Sequence, residues 1–380
     1  MIISRLKLKN WRNFRDLDIG FREISYVLGP NASGKSNLLD VFRFLRDVSK
    51  SKGGGLQTAV ADRGGMSKLR CLHARKDPEV LIELEFSSGN GELVEWKYIL
   101  GFKSEEKGQQ RVSREEVWHL NRQILQRPLK EDLKDPALLT QTHLEQIQAN
   151  AKFRDLVSYF SSLTYLHLVP QLLKFSDRLA GRQLDDDPFG QGFLQRLAQT
   201  SEKTRDARLK KISHALTLAV PQFKELRFKK DDIGQPHLEA LYAHHRPNAG
   251  WQSEEHFSDG TLRLLGLLWS LLDGGGMLLL EEPEISLNDS IVKQIPLIIS
   301  RLQRDKKNKR QILISTHSEA LLSNPGIDGD GVVLLETTSH GTEGRTITAD
   351  ERTSLEAGFS VAEVVLPKTK PEGIQQLGLW

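Results

Sequence analysis

The sequence predicts an α/β fold built from a mixed central sheet, an antiparallel β subdomain and an inserted helical subdomain. Three observations predict it. The apolar run 24–28 stops at Gly29, and from Lys35 onward Leu38, Leu39, Val41, Phe42, Leu45 and Val48 recur at helical spacing, so a strand passes through a glycine loop into an amphipathic helix. The last third alternates short apolar runs with longer periodic ones, the pattern of βαβ units on a parallel sheet. Between them, residues 114–211 read as helices punctuated by Pro128, Pro136, Pro170 and Pro188, with no sustained heptad that would build a coiled-coil arm.

In chain order, residues 2–8, 14–21 and 24–28 read as three short strands, the first two joined by a charged turn at Arg12 and Asn13. Residues 49–65, rich in Ser, Lys and Gly, read as a mobile surface loop. Residues 80–86 and 93–102, separated by SSGNGE, predict a hairpin of a second, smaller sheet. Residues 223–229 and 237–244 predict another strand pair. The last third then gives a helix after Ser258, a strand at 277–280, a helix over 288–302, and strands at 311–315 and 331–335. These elements divide into 1–113, 114–220 and 221–380, the first and last forming two halves of one domain around the helical insertion.

Composition sets outer bounds. Of 380 residues, 38% are hydrophobic and 27% charged, with a net charge of +3, as in an ordinary water-soluble globular protein. The longest apolar stretch, 262–280, is broken by Arg263, Asp273 and three glycines, so it does not predict a membrane span. The N-terminus has charges throughout and no apolar signal core. A single cysteine, Cys71, excludes an intrachain disulfide and a cysteine zinc site. A cytoplasmic protein without a membrane partner is expected.

Residues 29–36, GPNASGKS, satisfy G-x-x-x-x-G-K-[ST] between a strand and a helix, as the motif requires. Gly29 and Gly34 let the backbone curl so that the N–H groups of Asn31, Ala32, Ser33 and Lys35 point at phosphate oxygens, with Asn37 in the first helical turn. Lys35 is expected to reach the β- and γ-phosphates of ATP, and the Ser36 hydroxyl to ligate Mg²⁺. The buried-type strand at 277–280 ends in Glu281-Glu282-Pro283-Glu284. By position Glu281 takes the Mg²⁺ role and Glu282 that of general base. Glu281 stands where Asp is commoner, which adds a methylene to the metal arm.

Two further motifs narrow the reading. Phe257-Ser258-Asp259-Gly260-Thr261 precedes the apolar helix LRLLGLLWSLL, and Ser315-Thr316-His317-Ser318 ends a strand. With the phosphate loop, LLLEEPE and the opening KLKNWRNF, this order resembles an ABC-type P-loop ATPase head. It is most similar to the RecF, SMC and OLD branch, in the standalone OLD-like form without a TOPRIM nuclease domain. The resemblance covers residues 1–37 and 256–335. It implies that Ser258 and Gly260 bind the γ-phosphate of an ATP held by a second copy, which gives a homodimer or a higher even-numbered assembly through an ATP sandwich. It also makes His317 the switch histidine, Gln171 the Q-loop metal ligand, and Arg12 and Asn13 nucleotide contacts. Asn288 stands where the family has Asp.

The resemblance further implies ATP-dependent dimerisation that switches a DNA-associated or effector-associated complex in bacterial anti-phage defence or DNA repair, with a separate nuclease or toxin subunit as effector. The alternative is a slowly hydrolysing scaffold that docks such a subunit. Direct DNA contact would fall on residues 306–310 or on Arg205, Arg208, Lys210 and Lys211. Asp328-Gly329-Asp330 reads as a turn.

Overall fold

A computed structural model describes residues 1–74, 77–88, 93–105, 108–175, 187, 189–243, 250–304 and 309–369. Pro188, His244 and the basic residues Lys306 and Lys307, which fall in segments read from the sequence, lie outside them.

Among the described residues, fifteen strands form three sheets. The central one contains β3 (Ile24–Leu28), β8 (Thr164–Leu166), β12 (Leu278–Glu281), β13 (Ile312–Ser315), β14 (Val332–Thr338) and β15 (Gly341–Thr346), in the order β15-β14-β3-β13-β12-β8. Every pairing is parallel except β14 with β15, so the sheet is mixed as expected. Its inner parallel strands β3, β12 and β13 and the first half of β14 are apolar at nearly every position because both faces are covered. Val27, Leu279, Leu313, Val333 and Leu335 face one core, shared with the helix Lys35–Ser49. Tyr26, Leu28, Leu278, Leu280, Ile312, Ile314, Val332 and Leu334 face the other, shared with the helix Asp259–Leu272.

The second sheet is antiparallel and joins β1 (Ile2–Trp11), β2 (Phe14–Gly20), β4 (Val80–Ser87), β5 (Val94–Ser104), β6 (Gln110–His119) and β7 (Arg122–Arg127) in the order β2-β1-β4-β5-β6-β7. It lies over the first core. A small third sheet pairs β9 (Phe223–Lys230), β10 (Pro236–Tyr242) and β11 (Gln252–Ser253).

The structure corrects four expectations. The hairpin at 80–102 does not form a separate small sheet, since β4 pairs with β1. Residues 114–127 are strands rather than helices, and β6 crosses the expected boundary at 113/114. Its buried Val112, Glu115 and Val117 sit within a charged sequence that hid the strand. Residues 49–65 contain the helix Leu56–Ala61, which buries Leu56, Ala59 and Val60 between glycine-rich flanks. The helix expected over 288–302 is two, Asp289–Val292 and Ile295–Arg304, the second with Pro296 in its first turn, where the missing N–H costs nothing. The turn at 328–330 is present, with Asp328 Oδ1 accepting from Asp330 N at 3.0 Å.

One side chain ties the two large sheets together. Gln311, just before β13, accepts from Ile3 N at 2.9 Å and from Tyr159 Oη at 2.9 Å, and donates to Ile3 O at 2.7 Å and Arg22 O at 3.1 Å. All of this takes place in a buried site, where a polar group left without a partner costs about 1 to 3 kcal/mol. Gln311→Leu leaves the Ile3 N–H and C=O unpaired. It is expected to lower unfolding stability by at least about 2 kcal/mol, read as a fall in urea midpoint at constant slope.

Candidate functional site

The parallel register aligns three strand ends. Glu281 at the end of β12 is level with Ser315 at the end of β13, which is level with Val27 near the end of β3. Loops leaving the carboxyl ends of neighbouring parallel strands share one edge of the sheet, and the motif residues gather there.

The loop 29–34 leads into the helix Lys35–Ser49. Gly34 has φ +95°, and a Cβ there would lie 2.1 Å from the Asn13 amide nitrogen, so both conformation and space require glycine. Asn31, Ala32 and Ser36 are exposed, whereas Ser33 and Lys35 are buried. Lys35 Nζ donates to the carbonyls of Gly29 at 2.9 Å and Pro30 at 3.2 Å. Burial pushes its ammonium pKa down, and the carboxylates of Glu282, Glu281 and Glu284 work against that shift.

Asn13 braces the loop through its side chain. Its amide donates to Ser33 O at 3.0 Å and Thr342 Oγ1 at 2.6 Å, and its oxygen accepts from Asn37 Nδ2 at 2.8 Å. Trp11 Nε1 donates to Asn37 O at 2.9 Å. The side chains of Asn13 and Asn37 are thus engaged with each other and with the loop. Arg12 is engaged too, pairing with Asp40 at 2.6 Å. Asp40 also receives Arg63, and these guanidinium groups hold its carboxyl below the usual range despite burial.

Ser36 Oγ and the Tyr165 hydroxyl donate to the two oxygens of Glu281. Ser36 and Glu281 are therefore adjacent, as a shared Mg²⁺ requires. A hydroxyl and one carboxylate, with nucleotide phosphates completing the shell, fit a magnesium ion's preference for oxygen ligands. Glu282 follows at φ +44°, an arrangement costing about 1 to 2 kcal/mol for a residue with a Cβ. Its N–H donates to Ser315 O at 3.0 Å, and its Oε1 lies 3.1 Å from His317 Nδ1. Thr316 Oγ1 donates to Glu284 Oε1 at 2.5 Å and accepts from Ser318 N at 3.0 Å. Burial raises the Glu284 pKa against that hydrogen bond.

The serine-glycine motif starts the helix Asp259–Leu272, with Ser258 Oγ accepting from Thr261 N at 3.1 Å. A Cβ on Gly260 would lie 2.6 Å from Ser286 O, so this glycine is fixed by packing against the turn after Glu284. Asn288 caps its helix by accepting from Ser290 N at 2.9 Å, a task Asn performs as well as Asp. Gln171, expected as a metal ligand, donates its amide to Asp259 at 2.9 Å, beside Lys174 on the same carboxylate at 2.8 Å. The strand TYL that precedes it supplies Tyr165 to Glu281. Sequence reasoning missed Tyr165, Thr316 and Glu284. Only the strand-end position of Thr316 and the third acid of EEPE offered a signal.

The basic candidates are partly spent. Arg310 is buried and donates to the carbonyls of Gly276, Ser270 and Asp273, and Lys309 pairs with Glu23. Arg208 pairs with Asp273, and Arg205 lies over the Phe228 ring, while Lys210 and Lys211 are exposed. Among the described residues no helix is long and apolar enough to cross a membrane.

A family model described as "AAA domain, putative AbiEii toxin, Type IV TA system" matches residues 24–323. The chain is 27% identical over 88 residues to a DNA replication and repair protein RecF of Bacillus cytotoxicus, covering 23% of this chain and 24% of that protein. It is 30% identical over 96 residues to the RecF of Agathobacter rectalis, covering 25% and 26%. The chain thus spans about a quarter of the length of these curated relatives. Among solved structures, an SMC head bound to the C-winged helix domain of ScpA matches with a TM-score of 0.55 at 14% identity, over 93% of this chain and 100% of that one. An SMC head with a coiled coil and joint from Pyrococcus yayanosii matches with a TM-score of 0.54 at 12% identity, over 97% and 100%. The fold is that of an ABC-superfamily ATPase head of the RecF and SMC kind.

Asn13→Ala removes the loop's side-chain brace. It is expected to weaken binding of a fluorescent ATP analogue about 5- to 30-fold, the worth of one or two net hydrogen bonds. Gly34→Ala, which adds a clash and a strained φ, is expected to weaken it further in the same titration.

Proposed function

The chain belongs to the AAA-domain family matched over residues 24–323, and from that premise we propose that it is an ATP-binding and ATP-hydrolysing head whose ATP-dependent dimerisation switches a DNA-associated or effector-associated complex. The observation that carries the reading is the meeting of Ser36 with Glu281 and of Glu282 with His317 at one edge of the central sheet.

In this reading the backbone of residues 29–34 and the start of the helix Lys35–Ser49 cradle the phosphates, and Lys35 leaves the Gly29 and Pro30 carbonyls to meet the β- and γ-oxygens. Mg²⁺, held by Ser36 and Glu281, supplies neutralisation of the charge on those oxygens. Glu282 accepts the proton of the attacking water, and His317, on its Oε1, orients that carboxylate and senses the γ-phosphate. The off-minimum φ of Glu282 fits a side chain held for chemistry.

Ser258 and Gly260 belong to the face offered to a second copy. The exposure of Ser258 at the start of the helix Asp259–Leu272 supports this, since the N-terminus of a helix of that length attracts anions. Gln171 and Lys174 hold Asp259 there and would transmit closure to the segment around β8. The defence setting draws on the toxin named in the family's description, and the repair setting on the RecF relatives. A separate nuclease or toxin subunit would be the effector, and the division into 1–113, 114–220 and 221–380 is kept only as a functional grouping around the site.

Glu282→Gln is expected to cut phosphate release by about 10²- to 10⁴-fold. With Mg-ATP it should accumulate as a dimer or larger even-numbered assembly by light scattering, while wild type turns over. An unchanged mass in both proteins, with no phosphate released, sinks the switch.

A further inference from the structure

We propose that Tyr165 is a positioning residue for the metal-binding carboxylate, holding Glu281 from the neighbouring strand; this rests on the ATPase reading above. β8 runs parallel to β12 with Tyr165 opposite Leu279. Side chains two residues apart on a strand share a face, so Leu279 and Glu281 point the same way and Tyr165 stands diagonally beside Glu281. A diagonal neighbour is within reach of an aromatic side chain. Tyr165 spans that gap: its hydroxyl donates to Oε2 of Glu281 while Ser36 donates to Oε1.

The ring itself is held. Tyr165 is 7% exposed and packs in the core between the two large sheets. The Arg43 guanidinium lies 4.3 Å from the ring centroid. Arg43 follows Ser36 by two helical turns on the same face of the same helix, so the helix that supplies the metal-side hydroxyl also clamps the tyrosine. Burial, and after it the Glu281 charge, push the phenol pKa up.

The hydroxyl answers a problem set by the sequence. Glu281 has one more rotatable bond than the Asp common at this position, and fixing a metal ligand with an extra torsion costs more conformational entropy. A hydrogen bond to the outer oxygen removes that freedom, and losing such support costs a metal site about 10- to 100-fold in affinity.

The test uses the full chain with Tyr165→Phe, which keeps the ring and its packing and deletes the hydroxyl. Mn²⁺ binding is followed by electron paramagnetic resonance with a non-hydrolysable ATP analogue, beside Mg²⁺ titration of phosphate release. The expected result is a Mn²⁺ dissociation constant and a half-saturating Mg²⁺ concentration raised about tenfold, nucleotide affinity without metal unchanged, and turnover recovering at high Mg²⁺. Arg43→Met, which frees the ring while leaving Tyr165 and Glu281 intact, is expected to shift the same two quantities by about threefold. Glu281→Gln separates the two levels. Metal dependence lost in Glu281→Gln but unmoved in both Tyr165→Phe and Arg43→Met overturns the positioning role and leaves the ATPase reading standing. Metal affinity unmoved in all three removes Glu281 from the metal site, and the inference falls with it.

Discussion

Ser36 and Glu281 lie 245 positions apart in the chain, and their contact exists because β3, β13 and β12 run side by side in one direction with their ends level. The rest of the site depends on that constraint. A parallel sheet covered on both faces must be apolar along its strands, so charge is admitted only where the strands stop. Leu278 to Leu280 and Ile312 to Ile314 are buried, and the acids and the Thr316-His317 pair begin immediately beyond them. The same rule that fills the two cores collects Lys35, Glu281, Glu282 and His317 at one edge.

Charges so near a core need partners, and those partners are what fix geometry. Lys35 is stripped of water and offset by three carboxylates. Asp40 is shared by Arg12 and Arg63, with Arg63 extending to Asp47. Buried ion pairs contribute little net stability, because desolvation consumes most of the Coulomb gain. Removing one partner strands the other, so such a cluster resists rearrangement. Here it fastens the turn after β1 to the helix that follows the phosphate loop, through the pairing of Arg12 with Asp40.

What was legible in the sequence was local. The glycine loop between strand and helix, the apolar strand ending in acids, and the helix that starts after Ser258 each depend on neighbours within a few positions. What was not legible depends on partners far along the chain. Arg310, in a run of basic residues, resembles a solvated loop, yet three carbonyls 34 to 40 positions earlier capture its guanidinium. Gln171 follows a strand as a Q-loop residue would, but its partner is Asp259, 88 positions away. The strand β6 was hidden because Glu115 is buried by Arg127, a pairing invisible to hydrophobic periodicity. Tyr165 looked like one more core aromatic until the register set it beside Glu281.

The phosphate loop is held from both large sheets at once. Asn13, in the turn between β1 and β2, grips Ser33 O and Thr342 of the central sheet's edge strand, while Trp11 and Asn13 hold Asn37 on the helix. Gln311 locks β1 to the strand beside β3. These contacts help order the loop backbone, and the entropy they remove from it is charged to folding rather than to ligand binding. Donors fixed before a ligand arrives need no reorganisation when charge develops on it. The antiparallel sheet thus helps to set the angles of the loop's N–H groups, through the contacts that Asn13 makes from the turn between β1 and β2. That also explains why the Asn-Phe turn at the very start of the chain belongs with motifs that lie hundreds of residues later.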